Sequence, residues 1–209
     1  MLIREIMNRD LITISPDTKL NDAYRLMHEK NIRHLPVLEN DKLVGMVTDR
    51  DLRLATSKLA MHPFDPTSAV QNIMSHPVKT THPSDPIELA AQLMREMKIG
   101  CLPVVEMSEL VGIITSTDLL DALLLLTGVN RPSGRLEVRL PNRSGELARL
   151  TNLIAQRNVN INSILTYPEK DKNIRLVLRV GTMEIKALAD ALCGSGFKVI
   201  WPIHISCVK

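Results

Sequence analysis

The chain has 209 residues and sets 26 Lys and Arg against 23 Asp and Glu, for a net charge of +3. That balance excludes the basic stripe of a nucleic-acid binder, and two Phe, two Tyr and one Trp are too few to stack single-stranded bases. Three scattered cysteines, Cys101, Cys193 and Cys207, form no C-x-x-C pair, so neither a disulfide framework nor a zinc site is expected and a reducing cytoplasm fits best. No apolar run reaches the length of a membrane span, and the opening Met1-Leu2-Ile3-Arg4-Glu5 has no signal pattern.

From the N-terminus, Leu11–Ile14 reads as a short extended stretch, followed by Pro16 and a helix whose apolar positions are Leu20, Ala23, Tyr24 and Met27, at helical period. Two strand-like runs follow, Leu35–Leu38 and Leu43–Val47, separated by the hairpin-sized Glu39-Asn40-Asp41-Lys42. A second helix starts near Thr48. The same signals then return in the same order, without a gap, further along the chain. Val78–Thr81 is the extended stretch, Pro83 the proline, and Ile87, Ala90, Ala91 and Met94 the apolar helix face. Leu102–Val105 and Leu110–Ile114 are the strands, and the last helix starts near Thr115. The offset from Thr48 to Thr115 holds throughout, and roughly two positions in five are identical between the copies, which marks an internal duplication. Before the helix of the second copy, Asp85 is placed to cap, Pro86 to sit at N1 and Glu88 to close a capping box. Each copy is a β-α-β-β-α module of about 60 residues, too small to bury a comfortable core alone. Residues 1–60 and 61–128 are thus two repeats that pack as a pseudo-twofold pair.

The chemistry sits where the second helix begins. Thr48-x-x-Asp51 and Thr115-x-x-Asp118 each match a capping box, with the hydroxyl accepting from N3 and the acid reaching back. The same helix start, if it faces a cleft, offers free N–H groups to an anion and an Asp that can take two hydrogen bonds from a ribose diol. Both readings stand on the residues alone. Gly45 and Gly112 either admit a ligand to the strand backbone or tolerate a bulge.

In order and twice over, Ile6-Met7, Thr13-x-x-Pro16, Ala23-x-x-Leu26-Met27, Leu35-Pro36-Val37, Leu43-Val44-Gly45-Met46-Val47-Thr48 and Asp51-Leu52 resemble a tandem pair of CBS domains, a Bateman module. The resemblance implies that adenine nucleotides (AMP, ADP or ATP) bind as regulatory ligands in clefts between the repeats. By analogy Thr48, Asp51, Thr115 and Asp118 hold ribose. Thr13, Ile14, Pro16, Thr80, Thr81 and Pro83 mark the stretches that contact adenine. Arg33, His34, Leu35 and Pro36, with Gly100, Cys101, Leu102 and Pro103, line the same clefts. Arg33, His34 and Arg50 are the basic candidates for phosphate. The second copy carries Gly100, Cys101 and Thr117 at those three places, so the two clefts should differ in their affinity for phosphate.

Thr127–Gly134 is rich in turn residues and holds the linker, residues 129–134. Beyond it, Leu136, Val138 and Leu140 alternate with charges as in a strand, and a helix runs from about Gly145 with Leu147, Leu150 and Ile154 on one face. Val159–Tyr167 is a strand, 168–173 a polar hairpin loop, and Ile174–Val180 the next strand. Thr182 is placed to cap a helix bearing Ile185, Leu188 and Leu192, which Gly194-Ser195-Gly196 ends. Phe197–Trp201 is the last strand, and Ile203, Ile205 and Cys207 suggest an added edge strand. The order over 135–209 is β-α-β-β-α-β, the ferredoxin-like plan.

Leu140-Pro141-Asn142-Arg143-Ser144-Gly145-Glu146-Leu147, with Asn158-Val159-Asn160-Ile161, resembles an ACT domain. That likeness implies pairing with a second copy and an amino acid or similar small effector at Asn142, Arg143, Gly145, Glu146 and Leu147, with Asn160 and Ile161 opposite. The alternative is a domain that only dimerises. Two CBS repeats and one ACT domain are similar to the acetoin-utilisation protein AcuB family. The resemblance implies a non-enzymatic, cytoplasmic sensor linked to acetoin or carbon and energy metabolism, acting on an unidentified partner protein. No catalytic cofactor, metal, nucleic acid or membrane enters, because no nucleophile, base and orienter assemble from His34, His62, His76, His82, Asp49 and Cys101. The alternative is a structural dimerisation module, or a regulatory subunit of a separate enzyme, with degenerate sites. A homodimer is expected. Leu120, Leu123, Leu124 and Leu126 read most simply as core, with some available to a dimer contact.

Overall fold

The computed structural model describes residues 1–169 and 172–203, and the chain divides into two compact units, Met1–Leu120 and Asp121–Lys209. In the first copy, helix α1 (Leu20–Lys30) leads to strands β1 (His34–Glu39) and β2 (Lys42–Thr48) and helix α2 (Asp49–Ala55). In the second, α3 (Ile87–Met97), β3 (Cys101–Glu106), β4 (Glu109–Thr115) and α4 (Ser116–Thr127) repeat the order. Helix α1 forms because Leu20, Ala23 and Met27 share one buried stripe. It stops at Asn31, whose φ of 51° is left-handed, a conformation asparagine tolerates. The hairpins turn through two residues each, Asn40-Asp41 and Met107-Ser108, all at positive φ, the geometry that matches strand twist.

The copies trade their leading segments. Leu2 bridges Pro86 and Ala69 bridges Lys19; Asn8 pairs with Ile113 of β4 and Ser75 with Met46 of β2. Each contact is the other moved by one repeat, so the residues ahead of one copy complete the other. Val70 accordingly lies in the core of the first copy, with Leu35, Val37, Val47 and Leu52. The extended stretches do not form full strands. Ile14 and Thr81 make single parallel bridges to Val37 and Val104.

This exchange explains Gly45 and Gly112. A Cβ on Gly45 would run into the Met74 sulfur, and one on Gly112 would meet the Met7 sulfur at 2.7 Å. The space beside each glycine holds a methionine of the opposite copy, and no ligand enters there. A bulge also lies next to each, at the register shifts between Val37 and Leu38 and between Val104 and Val105.

In the second unit, β5 (Gly134–Pro141), α5 (Glu146–Gln156), β6 (Ile161–Pro168), β7 (Asn173–Val180), α6 (Ile185–Gly194) and β8 (Lys198–Trp201) follow the expected order. The sheet order is β6-β7-β5-β8, every neighbour antiparallel. One face packs Leu136, Val138, Leu140, Leu176 and Leu178 against Leu150 and Ile154 of α5 and Leu188 and Leu192 of α6. On the other face Glu169 accepts from both Arg139 and Arg175, and those two guanidiniums hold its carboxyl down at about 2.

Four expectations fail locally. Asp85 does not cap α3. Its Oδ2 accepts from the His82 N–H and the Thr81 hydroxyl, each at 2.8 Å, and Pro86 is the N-cap. Thr182 accepts from the Glu184 N–H, closing a local turn, and Glu184 precedes α6. On α4 only Ala122 is buried; Leu120, Leu123, Leu124, Leu125 and Leu126 are 43–61% exposed, so that stripe is not core. Cys193 is disulfide-bonded, so wide cysteine spacing did not mean that every thiol stays reduced. The proposed tail strand at Ile203, Ile205 and Cys207 lies largely outside the described residues, as do residues 170 and 171 of the hairpin loop.

Candidate functional site

A cleft of about 530 Å³ opens between the copies. The first copy brings Arg33, His34, Thr48, Arg50 and Asp51, and the second brings Val78, Lys79, Lys98, Ile99, Gly100 and Cys101. The two small residues of the second copy therefore line the same cleft as Arg33 and His34. Gly100 lies against the His34 ring, where a Cβ would come within 3.1 Å of Nε2. Arg33-His34 is bulky where Gly100-Cys101 is small, and the two pairs occupy matched positions across the pseudo-axis. Two bulky pairs would compete for this space.

Thr48 and Asp51 form the capping box. The Thr48 N–H donates to Asp51 Oδ2 at 2.9 Å and the Thr48 hydroxyl to the same oxygen at 2.6 Å, while the Asp51 N–H donates to Thr48 Oγ1 at 3.2 Å. This accounting restricts what the pair can still bind. A hydroxyl has one donor and two acceptor sites. The Thr48 proton is committed to Asp51, so only an acceptor site remains. Asp51 Oδ1 has no protein hydrogen bond among the described residues and accepts only. The pair thus suits a group with two O–H donors, such as a vicinal diol, and repels phosphate oxygens. Thr115 and Asp118 repeat the geometry, with the Thr115 N–H and hydroxyl donating to Asp118 Oδ2 at 2.6 and 2.7 Å.

The helix start is less open to anions than expected. The Asp49 N–H donates to the Arg33 carbonyl, the Asp51 N–H is taken by Thr48, and both acids sit in the first turn. Positive charge comes from side chains. Asp49 is paired with Arg53 at 3.0 Å, which leaves Arg33, Arg50, Lys79 and Lys98 without an ion pair among the described residues. His34 is half-buried; burial and then the Arg33 charge lower its pKa, against a smaller opposing effect of Asp51. Burial, with Asp51 adding to it, pushes the Cys101 thiol up to about 12. That thiol is inert as a nucleophile at neutral pH. Met46, Val78, Ile99 and Cys101 form an apolar wall.

Other expected residues fall elsewhere. Leu35 and Leu102 are fully buried in the cores. Ile14 pairs with β1 and Thr81 with β3. Thr13 and Pro16 are half-buried and Pro36 is buried, Pro16 giving its carbonyl to Gln71. Pro83 is buried and its carbonyl accepts from Arg4. Thr80 lines a separate hollow with Lys42, Val44 and His76. Pro103 lines the cleft. Thr117 is exposed on α4. Lys79 and Lys98 were not anticipated, although the signal was present. They stand at the positions of Ile12 and Asn31 in the first copy, and a difference of charge between copies is as informative as an identity.

In the second unit, Asn142 donates its N–H to the Lys172 carbonyl. Gly145 has φ 90° and caps α5, and Leu147 is 42% exposed. Glu146 is buried. Its Oε1 accepts from Arg143 at 2.8 Å, while Oε2 has no hydrogen-bond partner among the described residues and lies 3.6 Å from Arg149. Asn160 donates to Asn162 Oδ1, and Ile161 opens β6 opposite Val180. Since Val180 pairs with Gly134 and Asn173 with Pro141, Asn160 and Ile161 stand at the far end of the sheet from Asn142. The length of β5 separates them, roughly 23 Å, so one chain does not bring them to one ligand.

Two interlocked β-α-β-β-α modules around a cleft, followed by a ferredoxin-like unit, define a regulatory ligand-binding protein. The CBS domain model matches residues 3–58 and 70–125 and the ACT domain model residues 134–194. The chain belongs to the CBS-domain proteins and carries a C-terminal ACT domain. A CBS domain-containing protein of Dictyostelium discoideum is 37% identical over 137 residues, covering 59% of this chain and 92% of its own. Homoserine O-acetyltransferase of Methanohalobium evestigatum is 35% identical, but only 23% of that enzyme is matched. Among solved structures, an AcuB protein assigned to acetoin utilization, from Vibrio cholerae, is 36% identical with a TM-score of 0.52, covering 63% of this chain and 98% of its own. The CBS domain pair of protein MJ0100, in complex with 5-methylthioadenosine and S-adenosyl-L-methionine, is 28% identical with a TM-score of 0.53, over 59% of this chain and 95% of that one. CBSX2 in complex with AMP is 29% identical with a TM-score of 0.52, over 62% and 98%. Among the described residues no helix is long and apolar enough to cross a membrane.

Proposed function

We propose that this chain is a non-enzymatic sensor whose first cleft binds an adenosine-containing ligand and passes its occupancy to a partner protein. The observation that carries this reading is the acceptor-only pair Thr48 and Asp51 beside an apolar wall of Met46, Val78 and Ile99. The ribose diol donates to Asp51 Oδ1 and Thr48 Oγ1, and adenine lies against the wall. The adenosine compounds bound by MJ0100 and CBSX2 support it. The ligand acts by preferring one conformation over another, and its effect on the partner is reciprocal.

The ACT unit adds a second input, an amino acid or similar small effector at the loop from Asn142 to Leu147. Asn160 and Ile161 of a second copy then face that loop, which makes the working form a homodimer. The AcuB likeness supports a place in acetoin or wider carbon metabolism. A second reading also has an observation behind it. The capping boxes alone account for Thr and Asp in both copies, as a structural dimerisation module would require.

Isothermal titration with AMP and ATP separates the two. Binding that Asp51→Ala abolishes supports the sensor. No heat with either nucleotide at millimolar concentration, together with an unchanged thermal transition, leaves the structural module.

A further inference from the structure

We propose that the second unit carries an anion site formed by a single chain, where β5 ends and β8 begins, and that it takes a small carboxylate or phosphate on a short apolar stem. The site needs neither a nucleotide nor a second copy. It shares no residue with the loop from Asn142 to Leu147.

A hollow of about 290 Å³ opens there, lined by Arg139, Arg149 and Lys198 and by no carboxylate. Leu140, Pro141 and Phe197 give it an apolar wall. Its volume lies near the lower limit for small-molecule sites, roughly 300 Å³, which suits a metabolite of a few carbons.

The register sets cations in a row. Lys198 stands opposite Arg139, and Arg139 opposite Arg175. Like charges directly opposite one another destabilise a sheet. On the β7 side Glu169 relieves the repulsion by accepting from both Arg139 and Arg175. On the β8 side Lys198 makes no ion pair among the described residues. The neighbouring acids are already shared by two guanidiniums each, Glu137 by Arg135 and Arg175 and Glu146 by Arg143 and Arg149. An anion in the hollow would do for Arg139 and Lys198 what Glu169 does for Arg139 and Arg175.

Arg149 adds an independent observation. Its guanidinium lies 4.4 Å from the centroid of the Phe197 ring, and Phe197 is anchored in the core. Stacking uses the face of the guanidinium and leaves its edge. No side-chain hydrogen bond takes those N–H donors among the described residues, Glu146 standing off at 3.6 Å. A planar fork with uncommitted edges is the geometry that holds a carboxylate or phosphate through two parallel bonds. Arg149 and Lys198 are both exposed, so a ligand can reach them from solvent.

The test is an amide chemical-shift titration of the intact chain, in a buffer free of phosphate and carboxylate, with inorganic phosphate, butyrate and neutral butyramide as probes. Phosphate or butyrate should move the Gly196, Phe197 and Lys198 amides saturably, with a Kd on the order of a millimolar or below. Butyramide should bind at least about 10-fold more weakly. Tighter butyrate assigns the site to carboxylates and tighter phosphate to phosphates; either result supports it. Lys198→Gln and Arg149→Lys should each weaken the anion about 5–10-fold, the second although it keeps the charge. Arg157→Gln removes a cation from the other end of α5 and should change nothing. Shifts that chloride reproduces at equal ionic strength are screening alone and overturn the proposal. Shifts that do not saturate, an equal loss in Arg157→Gln, or binding that survives both variants overturn it too. None of these outcomes bears on the adenosine reading.

Discussion

The two CBS repeats have one skeleton and two electrostatic characters. Their hairpins, bulges, capping boxes and swapped methionines superimpose in sequence at a single offset, and their buried positions match: Leu35 with Leu102, Val37 with Val104, Ala23 with Ala90. Their cleft-lining charges do not match. The contrast shows which residues a duplicated fold must keep. Positions whose neighbours lie in both copies are held by packing. The charged side chains Arg50, Lys79 and Lys98 that line the cleft are not held by that packing and differ between the copies, while Thr48 and Asp51 recur as Thr115 and Asp118. The pair at the pseudo-axis lies between the two cases. Arg33-His34 and Gly100-Cys101 differ in size in compensating directions, the small Gly100 lying against the His34 ring.

The largest expected effect tests the shared skeleton. Leu35→Ala and Leu102→Ala, each removing a fully buried side chain, should each lower unfolding free energy by about 2–5 kcal/mol. Urea denaturation should show the two costs equal within about 1 kcal/mol; a wide gap would mean the repeats are not equivalent cores. Next is the exchange itself. Gly45→Ala should cost about 1–3 kcal/mol by overpacking, because its Cβ meets Met74. Met74→Ala should relieve part of that, and Met7→Ala should not. Rescue by Met7 would place the wrong segment beside β2.

Smaller effects divide the copies. Thr48→Ala and Thr115→Ala should each cost about 0.5–2 kcal/mol as lost caps, measured by thermal melting. Thr48→Ala should also weaken binding of an adenosine ligand, since its hydroxyl is part of the proposed diol site. The smallest effect is a pH dependence confined to the first copy. The His34 pKa is lowered in the folded chain by burial and then by the Arg33 charge, against a smaller opposing effect of Asp51. The unfolded chain therefore binds more protons just below about pH 6.5, and stability falls as pH drops through that value, levelling off below the folded pKa. His34→Gln should flatten the slope seen in melts between about pH 7 and pH 5. The second copy offers no counterpart, since Cys101 stays protonated up to about pH 12.

Much of this fold could be read without coordinates because its signals are local. Helices α2 and α4 begin at the threonine caps Thr48 and Thr115 and α3 at Pro86, the hairpin turns hold residues such as Asn40 and Asp41 that accept positive φ, and strands β5 and β7 alternate charge with aliphatic side chains. Two caps depart from this pattern. Asp85 and Thr182 have several N–H groups within reach, and which one each takes depends on backbone set by tertiary packing. The Leu120–Leu126 stripe failed for another reason. Apolar content predicts burial only when a surface exists to cover it, and among the described residues these side chains stay largely exposed.

The duplication, the two Thr-x-x-Asp boxes and the unequal charges between copies were all written in residue order, because each rests on neighbours within a few positions. Which charges share a cleft was not. Lys79 and Lys98 line one cleft with Thr48 and Asp51 where residues 1–8 and 66–75 cross between the copies, and such pairings join segments that lie far apart along the chain. The same packing gave Gly45 its reason, the distant Met74, where local sequence offered only a bulge or a ligand. Spacing along the chain specifies what each module is; contact across the pseudo-axis specifies which residues from the second module finish the site of the first.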